Sequence, residues 1–185
     1  MGLTELQTRK IDLLFDQIDE NRNGELEIQD VQGFGTRILK SFGEGLGSEK
    51  AQTLFKTFMG IWETICAEMD TNKDGKISRA EFRSGMDSAF VDGGKYDVIF
   101  RPATQAVLDL CNANDKGEMP FGEFLKLQNG FGTTPADSKA AFVALDRDHN
   151  GSLSVDELVV AAKQFYTSDD PNAVGNALFG PLKSA

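Results

Sequence analysis

The sequence predicts an all-α protein in which four helix–loop–helix units form two pairs that pack into one compact globule. Apolar residues recur at helical spacing along the chain, and a short segment rich in Asp, Asn and Gly interrupts this spacing four times, beginning at residues 19, 70, 112 and 146. With 185 residues, of which 40% are hydrophobic, the chain is long enough to bury a sizeable core. We expect a short two-stranded bridge between the two loops of each pair.

The four interruptions share one twelve-residue pattern, and they span residues 19–30, 70–81, 112–123 and 146–157. Each places Asp, Asn or, once, Lys at positions one, three and five, Gly at position six, an apolar residue at position eight and an acid at position twelve. This is the pattern of the EF-hand calcium loop, in which six to eight oxygens surround the ion. Gly at position six permits the sharp turn because it adopts positive φ freely.

Each loop position has its own task. Positions one, three and five present side-chain oxygens, position seven presents its backbone carbonyl, position nine usually acts through a water, and position twelve binds through both oxygens of a Glu. The apolar residue at position eight is expected to pack beside its counterpart in the paired loop; these residues are Leu26, Ile77, Met119 and Leu153.

Apolar stripes predict the helices on either side of the loops. They comprise Ile11, Leu14, Phe15 and Ile18 before loop one, Val31, Phe34 and Ile38 after it, Trp62, Ile65, Cys66 and Met69 before loop two, Phe82, Met86 and Ala89 after it, Ala141, Phe142 and Leu145 before loop four, and Leu158, Ala161, Ala162 and Phe165 after it.

Local signals predict where some of these helices begin and end. Thr134 and Pro135 suit the first turn of the helix that enters loop four, as a cap and a first helical residue. Three glycines between residues 43 and 47 predict a break before a long helix into loop two. The segment from Val91 through Arg101 and Pro102 predicts a bend between the two pairs.

Loops two and four have the full ligand pattern, so we expect both to bind calcium. Position seven contributes only its carbonyl, whatever its side chain. The candidate ligands are Asp70, Asn72, Asp74, Lys76 and Glu81 in loop two, and Asp146, Asp148, Asn150, Ser152 and Glu157 in loop four.

Loop one differs at position twelve, where Asp30 replaces the usual Glu. Aspartate is one methylene shorter, so bidentate reach is harder, and magnesium is expected to compete better here than in the other loops. A carboxylate at position nine, Glu27, is expected to compensate directly or through a water. The candidate ligands of loop one are Asp19, Asn21, Asn23, Glu25, Glu27 and Asp30.

Loop three is expected not to bind an ion. Asn112 replaces the first Asp, and Lys116 places an ammonium where a ligand oxygen belongs, so the charges of Lys116 and Glu123 cancel. We interpret loop three as the structural partner that loop four needs for pairing. The sequence therefore predicts three calcium ions per chain.

The composition excludes several classes of function. The formal net charge of −10 disfavours nucleic acid and anionic membranes, and no run of 18 apolar residues predicts a membrane span. The N-terminus has no signal-peptide core and there are only two cysteines, Cys66 and Cys111, so we expect a cytoplasmic protein with free thiols. No nucleophile with a His partner and no phosphate-binding Gly loop is present, so we expect neither an enzyme nor a cofactor other than Ca²⁺. We expect a monomer, and nothing in the sequence indicates a protein partner.

The chain resembles the sarcoplasmic calcium-binding proteins over nearly its whole length, and most of all their bacterial, calerythrin-like branch. The resemblance is carried by four EF-hand loops with a degenerate third, by Glu27 paired with Asp30 in loop one, and by the ending from Phe165 to Leu182. The degenerate loop three departs from that branch, so its set of filled sites is not transferred. The resemblance implies an N-terminal EF-hand pair in residues 1–98 packed face to face on a C-terminal pair in residues 99–185, which includes the tail.

Calcium binding leaves three roles open. The chain has 14 Phe against five Met, and rigid Phe packing suits a permanently closed core, so an intracellular calcium buffer or transporter is favoured. The tail residues Leu178, Phe179 and Leu182 are expected to fill any remaining groove. The alternatives are a calcium sensor that exposes an apolar groove to a partner protein, and a binder of an apolar small molecule that resembles the luciferin-binding proteins. With a lone His149 at a non-ligand loop position, light emission is not expected.

Overall fold

Eight helices and four two-residue strands make up the part of the chain that the computed structural model describes, residues 2–88, 96–111 and 116–180. The helices are α1 (Glu5–Ile18), α2 (Ile28–Phe42), α3 (Glu49–Met69), α4 (Arg79–Met86), α5 (Tyr96–Leu108), α6 (Phe121–Gly130), α7 (Pro135–Leu145) and α8 (Val155–Thr167). The strands are β1 (Glu25–Leu26), β2 (Ile77–Ser78), β3 (Met119–Pro120) and β4 (Ser152–Leu153), and a 3₁₀ helix (Val174–Ala177) follows α8. The predicted all-α class is confirmed. No described helix is long and apolar enough to cross a membrane.

Side-chain caps fix where several helices begin. The Thr134 hydroxyl accepts a hydrogen bond from Asp137 N at 3.2 Å, with Pro135 as the first residue of α7, as expected. Ser48 caps the 21-residue helix α3 in the same way. The break before α3 is also confirmed, because α2 ends at Phe42 and Gly43, with a φ of 74°, caps it in the left-handed conformation.

The two bridges join the loops in the predicted register. β1 pairs with β2 antiparallel, so that Leu26 faces Ile77, and β3 pairs with β4, so that Met119 faces Leu153. All four side chains are at most 1% exposed. Position eight of each loop therefore anchors the loop to the core, and each pair acts as one unit.

A continuous apolar core holds the two pairs together. Its largest cluster contains Phe15 and Phe82 from the first pair, with Phe124 and Phe165 from the second. A second cluster lies where α2, α3 and α5 meet, around Phe34 and other residues. The predicted thiols are free, with Cys66 half-buried and Cys111 buried.

One local prediction is wrong. Arg101 and Pro102 lie inside α5 and not in a bend, while residues 91–95 of the predicted bend are outside the described residues, as is Ala89. Proline costs a helix one hydrogen bond. The packing of α5, whose Ala106 and Leu108 are buried, outweighs this local cost.

Candidate metal centres

The described loops share one backbone path. Position four is left-handed in loops one, two and four, at Arg22, Lys73 and His149, with φ between 57° and 60°. The glycine at position six has φ between 77° and 84° in all four loops. In loops one, two and four this path turns the N–H groups of positions five and six onto the carboxylate at position one. The candidate ion ligands are carboxylate, amide and carbonyl oxygens, the set that calcium prefers.

The first Asp of each intact loop is held in the same way. In loop one, Asp19 accepts from Asn23 N at 3.2 Å and from Gly24 N at 3.0 Å. In loops two and four, the corresponding bonds to Asp70 and Asp146 run from Asp74 N, Gly75 N, Asn150 N and Gly151 N at 2.9–3.2 Å.

Loop four brings its acids closest together. Asp146, Asp148 and Glu157 each offer an oxygen within 4.8 Å of the others, and among the described residues no other loop has such a group. Glu157 Oε1 accepts from Arg147 N at 2.9 Å, and Oε2 accepts from Ser154 N at 2.9 Å. Burial alone would raise the pKa of Glu157, but these hydrogen bonds lower it on balance. The carboxylate is therefore charged and oriented.

Loop two repeats this arrangement at Glu81. Oε1 accepts from Thr71 N at 3.1 Å and from its hydroxyl at 2.8 Å, while Oε2 accepts from Ser78 N at 3.0 Å and from its hydroxyl at 2.8 Å. The bonds from Ser78, and then those from Thr71, lower the pKa of Glu81 to about 2. The hydroxyl of Thr71 at position two is a contributor that the loop pattern did not indicate.

In loop one, Asp30 occupies the same place despite its shorter side chain. It is 1% exposed, and it accepts from Glu20 N at 3.1 Å and from Glu27 N at 2.9 Å, the bonds that position twelve makes in loops two and four. The side chains of Glu25 and Glu27 instead contact loop two: each lies 2.8 Å from Lys76 Nζ. Hydrogen bonds to these two carboxylates raise the pKa of Lys76, so its ammonium stays charged.

Loop three is described only from residue 116, so Asn112 lies outside the described residues. Its acid at position twelve, Glu123, is 9% exposed and binds Lys126 Nζ at 2.6 Å. The sequence signal for this contact was a Lys three residues after the acid on one helix. The carboxylate of Glu118, at position seven, accepts from Asn150 Nδ2 of loop four at 3.5 Å.

The C-terminal segment lies against the core. Leu178 is 5% exposed, and its carbonyl accepts from the buried Gln128 Nε2 at 2.6 Å. The ring of Phe179 packs on Phe131 and Phe165 with centroids 5.0 and 4.9 Å apart. Leu182, the third predicted tail contact, is outside the described residues.

Beside this segment is an apolar cavity of about 180 Å³. Phe34, Trp62, Met86 and Phe179 contribute to its walls, and its few polar neighbours include Gln128. Oε1 of Gln128 has no hydrogen-bond partner among the described residues.

A model of an EF-hand domain pair matches residues 8–87, and a second model of an EF-hand domain pair matches residues 115–164. The chain belongs to the EF-hand family. Each matched segment contains one of the two bridged pairs, apart from residues 112–114 of loop three. This EF-hand protein therefore binds calcium through its EF-hands.

The sequence is similar to calerythrin of Saccharopolyspora erythraea, with 26% identity over 165 residues that cover 88% of this chain and 93% of calerythrin. A solved structure of a Streptomyces coelicolor calcium-binding protein, described for prokaryotic calcium-mediated regulation, superposes with a TM-score of 0.76 at 26% identity and covers 87% of this chain and 98% of that one. The predicted resemblance to the calerythrin-like branch is confirmed.

Two more distant structures share the fold. The sarcoplasmic calcium-binding protein of amphioxus has a TM-score of 0.77 at 17% identity and covers 96% of this chain and 98% of its own. The coelenterazine-binding protein of Renilla muelleri, in a calcium-loaded apo form, has a TM-score of 0.72 at 22% identity and covers 97% and 100%.

Proposed function

We propose that this EF-hand protein is a monomeric cytoplasmic calcium buffer that fills loops one, two and four and keeps its apolar core closed. The observation that carries the proposal is the packing of the buried Leu178 and the half-buried Phe179 against the core, where the hydrogen bond from Gln128 to the Leu178 carbonyl fixes the segment. A sensor must present an apolar groove to its target. In this protein, the chain's own C-terminal segment occupies the space between α6 and α8.

The expected number of sites follows from the position-twelve acids. Glu81 and Glu157 are ionised and held by backbone N–H groups, and Asp30 makes the equivalent bonds. Glu123 is paired with Lys126, so an ion in loop three would have to break that pair. Three ions per chain, with magnesium competing most at loop one, agree with this donor inventory.

Calorimetric titration with calcium, with and without millimolar magnesium, tests the proposal when hydrophobic-dye fluorescence is recorded in parallel. We expect three ions per chain and dye fluorescence that stays flat or falls. A stoichiometry of two would overturn the assignment of loop one, and four would overturn that of loop three. A large calcium-dependent rise in dye fluorescence would replace the buffer with a sensor, and light scattering would reveal any dimer.

The cavity favours a second candidate, the binding of an apolar small molecule. Its walls are almost entirely apolar, and the partnerless oxygen of Gln128 offers one acceptor for a ligand N–H or O–H group. Coelenterazine is a suitable probe, since a protein of the same fold is described as binding it. Trp62, the single tryptophan of the chain, lines the cavity and reports occupancy by fluorescence quenching.

The matched control is Ala103→Phe, which fills the cavity from a half-buried position. If the cavity is a binding site, coelenterazine quenches Trp62 at one molecule per chain in the natural protein and not in the variant. Equal quenching in both proteins, or none in either, would count against this second function.

A further inference from the structure

Lys76 of loop two reaches across the bridge into loop one. Its Nζ lies 2.8 Å from Glu25 Oε2 and 2.8 Å from Glu27 Oε1. In the bridge Glu25 faces Ser78, and Lys76 directly precedes β2. The antiparallel register thus brings the side chain at position seven of loop two beside positions seven and nine of loop one.

Glu27 is the carboxylate that loop one most needs to complete its set of ion ligands. Position twelve of this loop is an Asp, which is too short to bind readily through both oxygens, so a carboxylate at position nine would add a ligand oxygen and a negative charge. Loops two and four have Ser78 and Ser154 at position nine. Only loop one combines an acid there with a cation supplied by its paired loop.

We propose that Lys76 is a tethered counter-ion that holds Glu27 away from the ion in loop one, and that it thereby lowers the affinity of that loop. The inference rests on the proposed function in one respect: loop one must be able to take up a divalent cation. Two effects act in the same direction. The ammonium repels an incoming cation, and it competes with that cation for the carboxylates of Glu25 and Glu27.

In the second pair, position seven of the corresponding contact carries the opposite charge. Position seven of loop three is Glu118, and its carboxylate accepts from Asn150 of loop four at 3.5 Å. In both pairs, then, the position-seven side chain of one loop contacts a candidate ligand residue of the other. Lys76 places a positive charge beside loop one, and Glu118 places a negative charge beside loop four.

The test is the variant Lys76→Met, which removes the charge but keeps an unbranched side chain, one atom shorter, and the carbonyl at position seven. Lys73→Met is the matched control, because Lys73 is an exposed cation at position four of the same loop. Lys76→Arg retains the charge. Loop one is followed through the Gly24 amide resonance, because Gly24 N donates to Asp19 Oδ2 at 3.0 Å; the amides of Gly75 and Gly151 report loops two and four.

We expect Lys76→Met to bind calcium at loop one about two- to fivefold more tightly, the range of a partly exposed ion pair, and 1 M salt to reduce the difference. Lys73→Met should change the Gly24 midpoint much less, and Lys76→Arg should match the natural protein. If the calcium midpoint of the Gly24 amide is the same in Lys76→Met and Lys73→Met, the inference about Lys76 is overturned, while the proposed function is not affected.

The remaining outcomes separate the inference from the proposed function. A Gly24 amide that responds only in Lys76→Met supports the role of Lys76 but overturns the stoichiometry of three in the natural protein. If the Gly24 amide responds to calcium neither in the natural protein nor in Lys76→Met, both the ion site in loop one and the inference about Lys76 are overturned.

Discussion

At the scale of single residues, the acid at position twelve distinguishes the loops. Glu81, Glu157 and Asp30 each accept hydrogen bonds from the N–H groups of positions two and nine, so each carboxylate is held in place by its own loop. Glu123, the corresponding acid of loop three, accepts from Lys126 Nζ at 2.6 Å. In our proposal, this ion pair is what makes loop three a structural loop.

Glu81→Gln and Glu157→Gln should each remove one calcium site, because each replaces a bidentate carboxylate with a neutral amide of the same size. Calorimetry should then give two strong sites in place of three. Glu123→Gln is the control and should leave the stoichiometry unchanged; loss of a full site in that variant would contradict the account of loop three.

Asp30→Glu should shift loop one toward calcium and away from magnesium. The longer side chain restores bidentate reach and favours the larger, seven-coordinate ion. Calcium titrations at several magnesium concentrations measure the selectivity. An unchanged selectivity would mean that Glu27 or the backbone, and not the length of Asp30, sets the preference.

The pKa of Glu81 predicts a contribution to acid unfolding. It lies near 2 in the folded protein against an ordinary value of 4.5. Because the folded value is the lower one, the stabilising effect is present above pH 4.5 and is lost as the pH falls toward 2. Denaturant unfolding of the calcium-free protein should show this decrease, and Glu81→Gln should flatten the curve in that window. An identical slope in both proteins would refute the role of Glu81.

At the scale of elements, the close crossing of α3 and α4 positions the two ends of loop two. Gly85 on α4 lies so near Met69 on α3 that a Cβ at this position would be 2.3 Å from Met69 Cγ. Met69 is the last residue before the loop begins at Asp70. A side chain at position 85 would therefore push apart the two helices that hold the loop.

Gly85→Ala should lower the free energy of unfolding by about 1–3 kcal/mol, the usual cost of overpacking a core, and weaken calcium binding at loop two. Gly60→Ala is the matched control, because Gly60 is an exposed glycine of α3 with nothing within 4 Å of the added Cβ. That control should stabilise the helix by about 0.5–1 kcal/mol. Denaturant unfolding of both variants measures the contrast, and equal stabilities would contradict it.

At the scale of the whole molecule, the C-terminal segment links the two pairs. Lys10 of α1, fully buried, donates from Nζ to the carbonyl of Ser168 at 2.8 Å, and Gln17 Nε2 donates to the carbonyl of Phe179 at 3.2 Å. Gln128 of α6 holds Leu178. The first helix of the chain and the second pair thus both fix the segment that covers the interior.

Truncation after Ser168 should raise hydrophobic-dye fluorescence in the calcium form, because Leu178 and Phe179 no longer cover the core. Gly175→Ala should act in the same direction, because its Cβ would lie 2.2 Å from the carbonyl oxygen of Ala161 on α8. Gly122→Ala, at an open helical position, is the control and should leave the fluorescence unchanged. Unaltered dye binding in the truncated protein would contradict the covering role.

The sequence alone determined the loops, the flanking helices and the bridge positions. Their signals are local: a twelve-residue pattern set by calcium coordination, and an apolar period set by helix geometry. The pairing of Leu26 with Ile77 followed from position eight of the pattern and is confirmed. The individual ligand assignments come from the same local pattern and stay predictions.

Only the tertiary structure decided the features that join distant residues. Pro102 lies within a helix because packing of α5 against the core outweighs one lost hydrogen bond. The contact of Lys76 with Glu27 depends on the register of the bridge between two loops. The position-seven residues of these loops, Glu25 and Lys76, are 51 residues apart in the sequence. The cavity beside Phe179 depends on how helices of both pairs leave a volume unfilled between them. Such features arise from packing between segments, whereas each segment's own sequence specifies only its local conformation.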